Sequence, residues 1–135
     1  RAQEPDSKPD RPKSLYICGP SRSGKTAWAR SLGLHNYFTG AIKFHDYNDH
    51  ALYNVIDDIQ YTKISHEVMK SLVGSQKNIT VNIKYRPDRT IKGGIPSIIC
   101  VNPDMDWLTY MSPTIKDWWN QNVLMHYMDP TDVFY

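Results

Sequence analysis

The chain has 135 residues, 40% of them hydrophobic, which is enough to bury one core and too short for two ordinary domains. A formal charge of +2 excludes a global basic field, so contact with nucleic acid has to come from a local patch. Two cysteines, Cys18 and Cys100, sit inside the apolar runs SLYICG and PSIICVN, which favours buried free thiols in an intracellular protein over a disulfide framework. No apolar run reaches the roughly 18 residues of a membrane span, so no membrane partner is expected.

Residues 1–13 (RAQEPDSKPDRPK) mix three prolines with charges and carry one apolar side chain, Ala2; such a segment reads as a flexible linker. The first residue is Arg1 rather than methionine, so the chain is expected to be part of a longer protein, with one domain over 14–135. LYICG is a short apolar run stopped by glycine, and GKTAWARSLG follows with helix formers and a closing glycine, a strand, loop and helix. ALYNVIDD, Ala51 to Asp58, is a second strand ending in two carboxylates, and TKISHEVMKSLVG spaces Ile64, Val68 and Leu72 for a helix ending at Gly74. ITVNIKY and TIKGG flank RPDR, whose Pro-Asp pair predicts the turn of a β-hairpin. IPSIICVN is a further buried strand, SPTIKDWWNQN a helix with Ser112 at its N-cap and Pro113 at N1, and VLMHYM a last strand. Trp118 and Trp119 are assigned to packing.

This alternation predicts an α/β sandwich around a mostly parallel sheet, with the ligand site beyond the carboxyl ends of the strands. Gly19, Asp58 and Asn102 all fall at such ends. GPSRSGKT fits G-x-x-x-x-G-K-[ST] at Gly19, Gly24, Lys25 and Thr26, after a strand and opening a helix, the context this motif requires. The predicted cradle runs Gly19, Pro20, Ser21, Arg22, Ser23, Gly24, Lys25 and Thr26: backbone amides face phosphate oxygens, Lys25 bridges the β- and γ-phosphates of ATP, and the Thr26 hydroxyl takes Mg²⁺. Asp57 is expected to hold the Mg²⁺ shell. Asp58 either orients and deprotonates the attacking water or caps a turn. Asn102 either contacts the γ-phosphate and lytic water or forms a turn before Pro103.

Lys77, Lys84, Arg86, Arg89 and Lys92 face a single acid, Asp88, across the hairpin. They suit sequence-independent contact with the phosphates of single-stranded DNA, or else they protect a solvated sheet edge. The five histidines show no metal-ligand spacing, which leaves Mg²⁺ with nucleotide as the expected metal.

GPSRSGKT, SGKTAWARSLG, HNYF, YNVIDD, KGGIP and IICVN, in this order, resemble the helicase part of geminivirus replication-associated proteins, superfamily 3 ring helicases, in wording nearest the mastrevirus branch. The resemblance covers residues 14–135 and implies a P-loop, AAA+-like three-layer sandwich with a protruding hairpin before the Asn102 strand. It makes the quoted segments Walker A, Walker B, the B′ motif and motif C, and so gives Lys25, Thr26, Asp57, Asp58 and Asn102 roles in ATP hydrolysis. It further implies single-stranded DNA contact by Lys84, Arg86, Arg89 and Lys92, a ring oligomer such as a hexamer, host replication partners, action in the host nucleus and an origin-nicking endonuclease outside this segment. One departure stands out: ring ATPases commonly take an arginine from the neighbouring subunit after motif C, and no arginine follows Arg89. Lys116, or an arginine from earlier in the chain, is the alternative. A small P-loop kinase, short of lid arginines here, and a nucleotide-gated assembly or host-interaction module with little hydrolysis are the competing readings.

Overall fold

Seven strands and three α-helices follow one another in the computed structural model, which describes residues 13–20, 23–44, 46–81 and 89–128. They are β1 (Ser14–Cys18), α1 (Lys25–Arg30), β2 (His35–Thr39), β3 (Tyr53–Asp57), α2 (His66–Val73), β4 (Asn78–Val81), β5 (Arg89–Lys92), β6 (Ser97–Val101), α3 (Pro113–Asn122) and β7 (Val123–Tyr127). The expected linker up to residue 12 lies outside the described residues, as do Ser21, Arg22, Lys84 and Arg86; of Arg89 only the backbone is described.

Five strands form one parallel sheet in the order β2-β3-β6-β1-β7. All five residues of β6 are buried, the signature of a parallel strand covered on both faces. Successive side chains alternate between those faces. Tyr16, Cys18, Ile56, Ile99 and Val101 point to the side of α2 and α3, where Met69, Leu72, Val73, Trp107 and Trp119 complete the larger core. Ile17, Val55, Ile98 and Cys100 point the other way and pack with Ala29 of α1. The two thiols thus lie on opposite faces, both buried and unpaired. This is the α/β sandwich expected from the alternation.

The larger core is built around rings. Tyr16 meets Trp119 edge-on at 5.3 Å, and Trp107 lies 5.8 Å from Trp119, a geometry that adds about 1 kcal/mol per pair to their area burial. Helix α2 starts where the Ser65 side chain accepts from the Val68 amide, and α3 where Ser112 does the same for Ile115 behind Pro113, each cap worth about 1 kcal/mol. At its other end α2 is tied to the sheet: Ser14 Oγ donates to Val73 O and Ser97 Oγ to Leu72 O.

Strand β2 was not anticipated. HNYFT is short and puts Asn36, an unlikely core residue by type, on a buried face. Its amide donates there to Asn54 Oδ1 at 3.0 Å across the ladder and to Asn48 O at 3.3 Å, and its Oδ1 accepts from Asn48 N, which lets this polar side chain stand inside the sheet.

The chain leaving β1 travels over β6 and β3 to reach β2, whereas the chain leaving β6 crosses β1 to reach β7. Connections that depart in opposite directions open a crevice at the carboxyl ends of the two strands. β4 and β5 form a separate antiparallel pair, the predicted hairpin, anchored by Ile79 and Ile91 in the larger core.

Candidate functional site

The crevice between β1 and β6 collects the residues singled out by motif. Gly19 follows β1, and its amide donates to Val101 O at 3.0 Å. A Cβ on Gly19 would stand 2.5 Å from Met128 Sδ, so the loop starts in a space that suits glycine. Gly24 takes φ 86° as the residue before α1, a backbone that glycine adopts at little cost. The α1 N-terminus has no side-chain cap. Ser23 beside it is buried, with no hydrogen-bond partner for its Oγ among the described residues.

Lys25 opens α1 and is only 6% exposed. Its ammonium donates to Pro20 O and to Asn102 Oδ1, both at 3.0 Å. Both partners are neutral oxygens, and a buried cation is costly unless a counter-charge arrives. At the next residue of the helix, Thr26 Oγ1 donates to Asp57 Oδ1 at 3.0 Å. Asp57 Oδ2 accepts from the Tyr37 hydroxyl at 2.8 Å. Burial and this bond to a carboxylate raise the Tyr37 pKa above its ordinary value, because both disfavour the phenolate.

Asp58 is exposed and has φ 57°, a left-handed conformation that aspartate tolerates better than most residues. Its amide donates to Cys100 O at 3.1 Å. Asn102 forms the turn that one of its two alternatives required, its carbonyl accepting from Met105 N to start a 3-10 turn, and its side chain accepts from Lys25. Lys25, Thr26, Asp57, Asp58 and Asn102, with Cys100 and Val101, line a cavity of about 190 Å³. The Cys100 thiol is pushed up to about 12 by burial and the nearby Asp57 charge, so at neutral pH it is a protonated packing group and not a nucleophile. An all-oxygen donor set, the Thr26 hydroxyl beside the Asp57 carboxylate, suits a hard divalent cation such as Mg²⁺.

The sequence reading passed over two residues here. Tyr37 comes from the unanticipated β2, and Arg30 at the end of α1 lays its guanidinium carbon 3.9 Å from the Tyr37 ring centroid. The available signal was HNYFT itself, an aromatic-containing run bounded by Gly33 and Gly40.

Among the described residues, none of β4 or β5 lines the crevice cavity. Lys92 is exposed, and its backbone is sewn to the preceding loop, with its amide donating to Asp49 Oδ1 and its carbonyl accepting from Tyr47 OH, both at 3.0 Å. Gly93 and Gly94 donate to Lys77 O and Gln76 O. Among the described residues, no helix is long and apolar enough to cross a membrane.

No family model matches the chain. It is 52% identical over 122 residues to the replication-associated protein of bean yellow dwarf virus, covering 90% of this chain and 36% of that one. Identity is 50% over 132 residues with the replication-associated protein of tobacco yellow dwarf virus (98% and 39% covered), and 46% over 133 residues with that of Miscanthus streak virus (98% and 37%). The chain therefore spans less than two fifths of the length of these curated relatives. Over the segment that it covers, the chain belongs to the replication-associated proteins of the mastreviruses, which are geminiviruses.

Proposed function

We propose that the chain is the Mg·ATP-hydrolysing motor part of a viral replication initiator, a helicase that moves on single-stranded DNA as a ring. The observation that carries this reading is the Lys25 ammonium, nearly buried and bonded among the described residues to two neutral oxygens, beside the Thr26–Asp57 pair at the carboxyl ends of the sheet. A buried cation in such a place suits an anionic ligand, and the G-x-x-x-x-G-K-[ST] frame suits a phosphate chain.

In this mechanism the loop 19–24 cradles the phosphates. Lys25 exchanges Pro20 O and Asn102 Oδ1 for oxygens of the β- and γ-phosphates. Thr26 and Asp57 hold the Mg²⁺, which when bound neutralises charge developing on those oxygens. Asp58, exposed at the cavity edge, and Asn102, released by Lys25, orient the attacking water; Asp58 receives its proton as the bond from γ-phosphorus to the bridging oxygen breaks, leaving ADP and phosphate. The remaining positive charge comes from a neighbouring copy, with Lys116 as one source, which makes hydrolysis dependent on assembly. Lys84, Arg86, Arg89 and Lys92 of the hairpin hold the phosphates of a single DNA strand. Replication in the host nucleus, with host replication proteins as partners, is the setting implied by this reading.

Hydrolysis of ATP stimulated by single-stranded DNA, rising more than linearly with protein concentration and lost in Lys25→Ala, is the expected outcome. Because assembly can need sequence beyond this segment, the assay is run in parallel on a longer chain. No hydrolysis in the longer chain overturns the motor reading. Slow hydrolysis indifferent to DNA and to concentration favours a nucleotide-gated assembly module instead.

A further inference from the structure

We propose that Tyr37 is a positioning residue that holds the Asp57 carboxylate in the orientation a divalent cation requires, and that Arg30 keeps Tyr37 in place. The proposal rests on the reading of the crevice as a Mg·nucleotide site and extends it to the far edge of the sheet.

Asp57 is the last residue of β3 and pairs with Thr39 of β2; Tyr37, two residues earlier, pairs with Val55. Residues two apart on a strand share a face, so Tyr37 stands on the same side of the ladder as Asp57. Its hydroxyl donates to Asp57 Oδ2 at 2.8 Å while Thr26 donates to Oδ1 at 3.0 Å. Two donors on two oxygens fix the plane of the carboxylate, and each oxygen keeps a further lone pair for a cation or its water shell. Groups behind the ligands of a metal commonly set their orientation in this way.

A second layer holds the phenol ring. The Arg30 guanidinium lies over its face at 3.9 Å, a cation–π contact worth about 0.5–1 kcal/mol at an exposed site. Arg30 is aimed in turn: its Nε donates to His35 Nε2 at 3.2 Å. His35 Nδ1 lies 2.8 Å from Gly33 O, and a carbonyl can only accept, so Nδ1 carries the proton and Nε2 is the acceptor that Arg30 needs. The His35 ring stacks on Tyr53 at 5.1 Å, and the Tyr53 hydroxyl donates to Ala29 O in α1. The end of the short helix, the second strand and the Asp57 carboxylate are thereby joined in one chain of contacts. A phenylalanine at position 37 would fill the same space and keep the Arg30 contact, so the hydroxyl is the part that packing does not require.

Tyr37→Phe therefore separates positioning from packing. Binding of a fluorescent ATP analogue is followed while Mg²⁺ is titrated, and again in excess chelator, with the melting temperature recorded alongside. The half-saturating Mg²⁺ concentration rises by about 10-fold, the low end for loss of a group behind a metal ligand, while metal-free nucleotide affinity and melting temperature stay as in the wild type. Arg30→Met moves the Mg²⁺ titration in the same direction by less. Asp57→Asn flattens it, and adding Tyr37→Phe to Asp57→Asn changes nothing further. A Mg²⁺-dependent wild type with an unshifted Tyr37→Phe overturns the role of Tyr37 alone. Parallel loss of stability and metal-free binding in Tyr37→Phe overturns it in favour of packing. A wild type whose nucleotide binding ignores Mg²⁺ overturns the reading of the crevice and this proposal with it.

Discussion

In the crevice, the Lys25 and Asp57 side chains are each held by two hydrogen-bond partners, while at Lys92 in the hairpin the backbone is held and the side chain is exposed. Lys25 has two acceptors, Asp57 has two donors, and both stand at the ends of buried strands or on the helix that leaves them. At the base of the hairpin, Ile79 and Ile91 are buried and the Lys92 backbone is bonded at both its amide and its carbonyl, yet the Lys92 side chain is exposed. The difference matches the two kinds of chemistry proposed. Phosphoryl transfer needs groups fixed to fractions of an ångström before reaction. Contact with a phosphate backbone needs a cation that can reach it, and solvated lysine on a fixed base supplies that.

The comparison breaks most sharply at Lys25. Lys25→Ala removes the cation on which the crevice converges, and kcat for ATP hydrolysis is expected to fall by about 100- to 1,000-fold, the usual cost of one preorganised charge-stabilising group. Single-stranded DNA binding, measured without nucleotide, should hold within a factor of about two, since among the described residues Lys25 bonds to Pro20 and Asn102 and not to β4 or β5. Equal loss of both activities would mean that the two regions are one site.

Gly93→Ala attacks the other region through its backbone. The added Cβ would stand 1.8 Å from Gln76 O and 3.0 Å from Ile79 Cδ1, so the hairpin base has to shift. Overpacking of this kind costs about 1–3 kcal/mol, read as a lower midpoint in urea. DNA binding should weaken by a larger factor than nucleotide binding. The reverse order would place the consequences of that strain in the crevice.

The two regions also differed in how far the sequence revealed them. The crevice was legible almost whole because its parts are local: a glycine loop between a strand and a helix, and carboxylates and an asparagine that end apolar runs. The strand SIICV and the helix behind the Ser112 cap were found for the same reason, since they carry their structure in a few adjacent residues. Tyr37 escaped because its meaning is not local. Asn36 breaks the apolar pattern of β2, and hydrogen bonds to Asn54 across the ladder and to Asn48 in the loop beyond make that strand tolerable in the sheet. The contact of Tyr37 with Asp57 exists because β2 and β3 pair in one register, which neither segment states alone. Asp58 shows another limit: the sequence set a role toward the attacking water against a turn as rival readings, and a turn-like φ of 57° and a place in the cavity lining are compatible in one residue.

The smallest expected effect tests the hairpin side chains without touching the fold. Lys92 is exposed, and the bonds that hold this part of the chain come from its backbone amide and carbonyl, so Lys92→Ala leaves the base of the hairpin in place. Each phosphate contact on a single strand contributes about 0.7 to the slope of log affinity against log salt concentration. The slope for single-stranded DNA binding should therefore become shallower by about that amount, with nucleotide affinity and the Mg²⁺ titration unchanged. An unchanged slope would assign Lys92 to edge protection, the ordinary task of lysine on an exposed strand, and would confine DNA contact to the rest of the hairpin. A change in the Mg²⁺ titration would be more consequential, because it would show that a solvated side chain at the hairpin base is coupled to a crevice whose own hydrogen bonds do not include it.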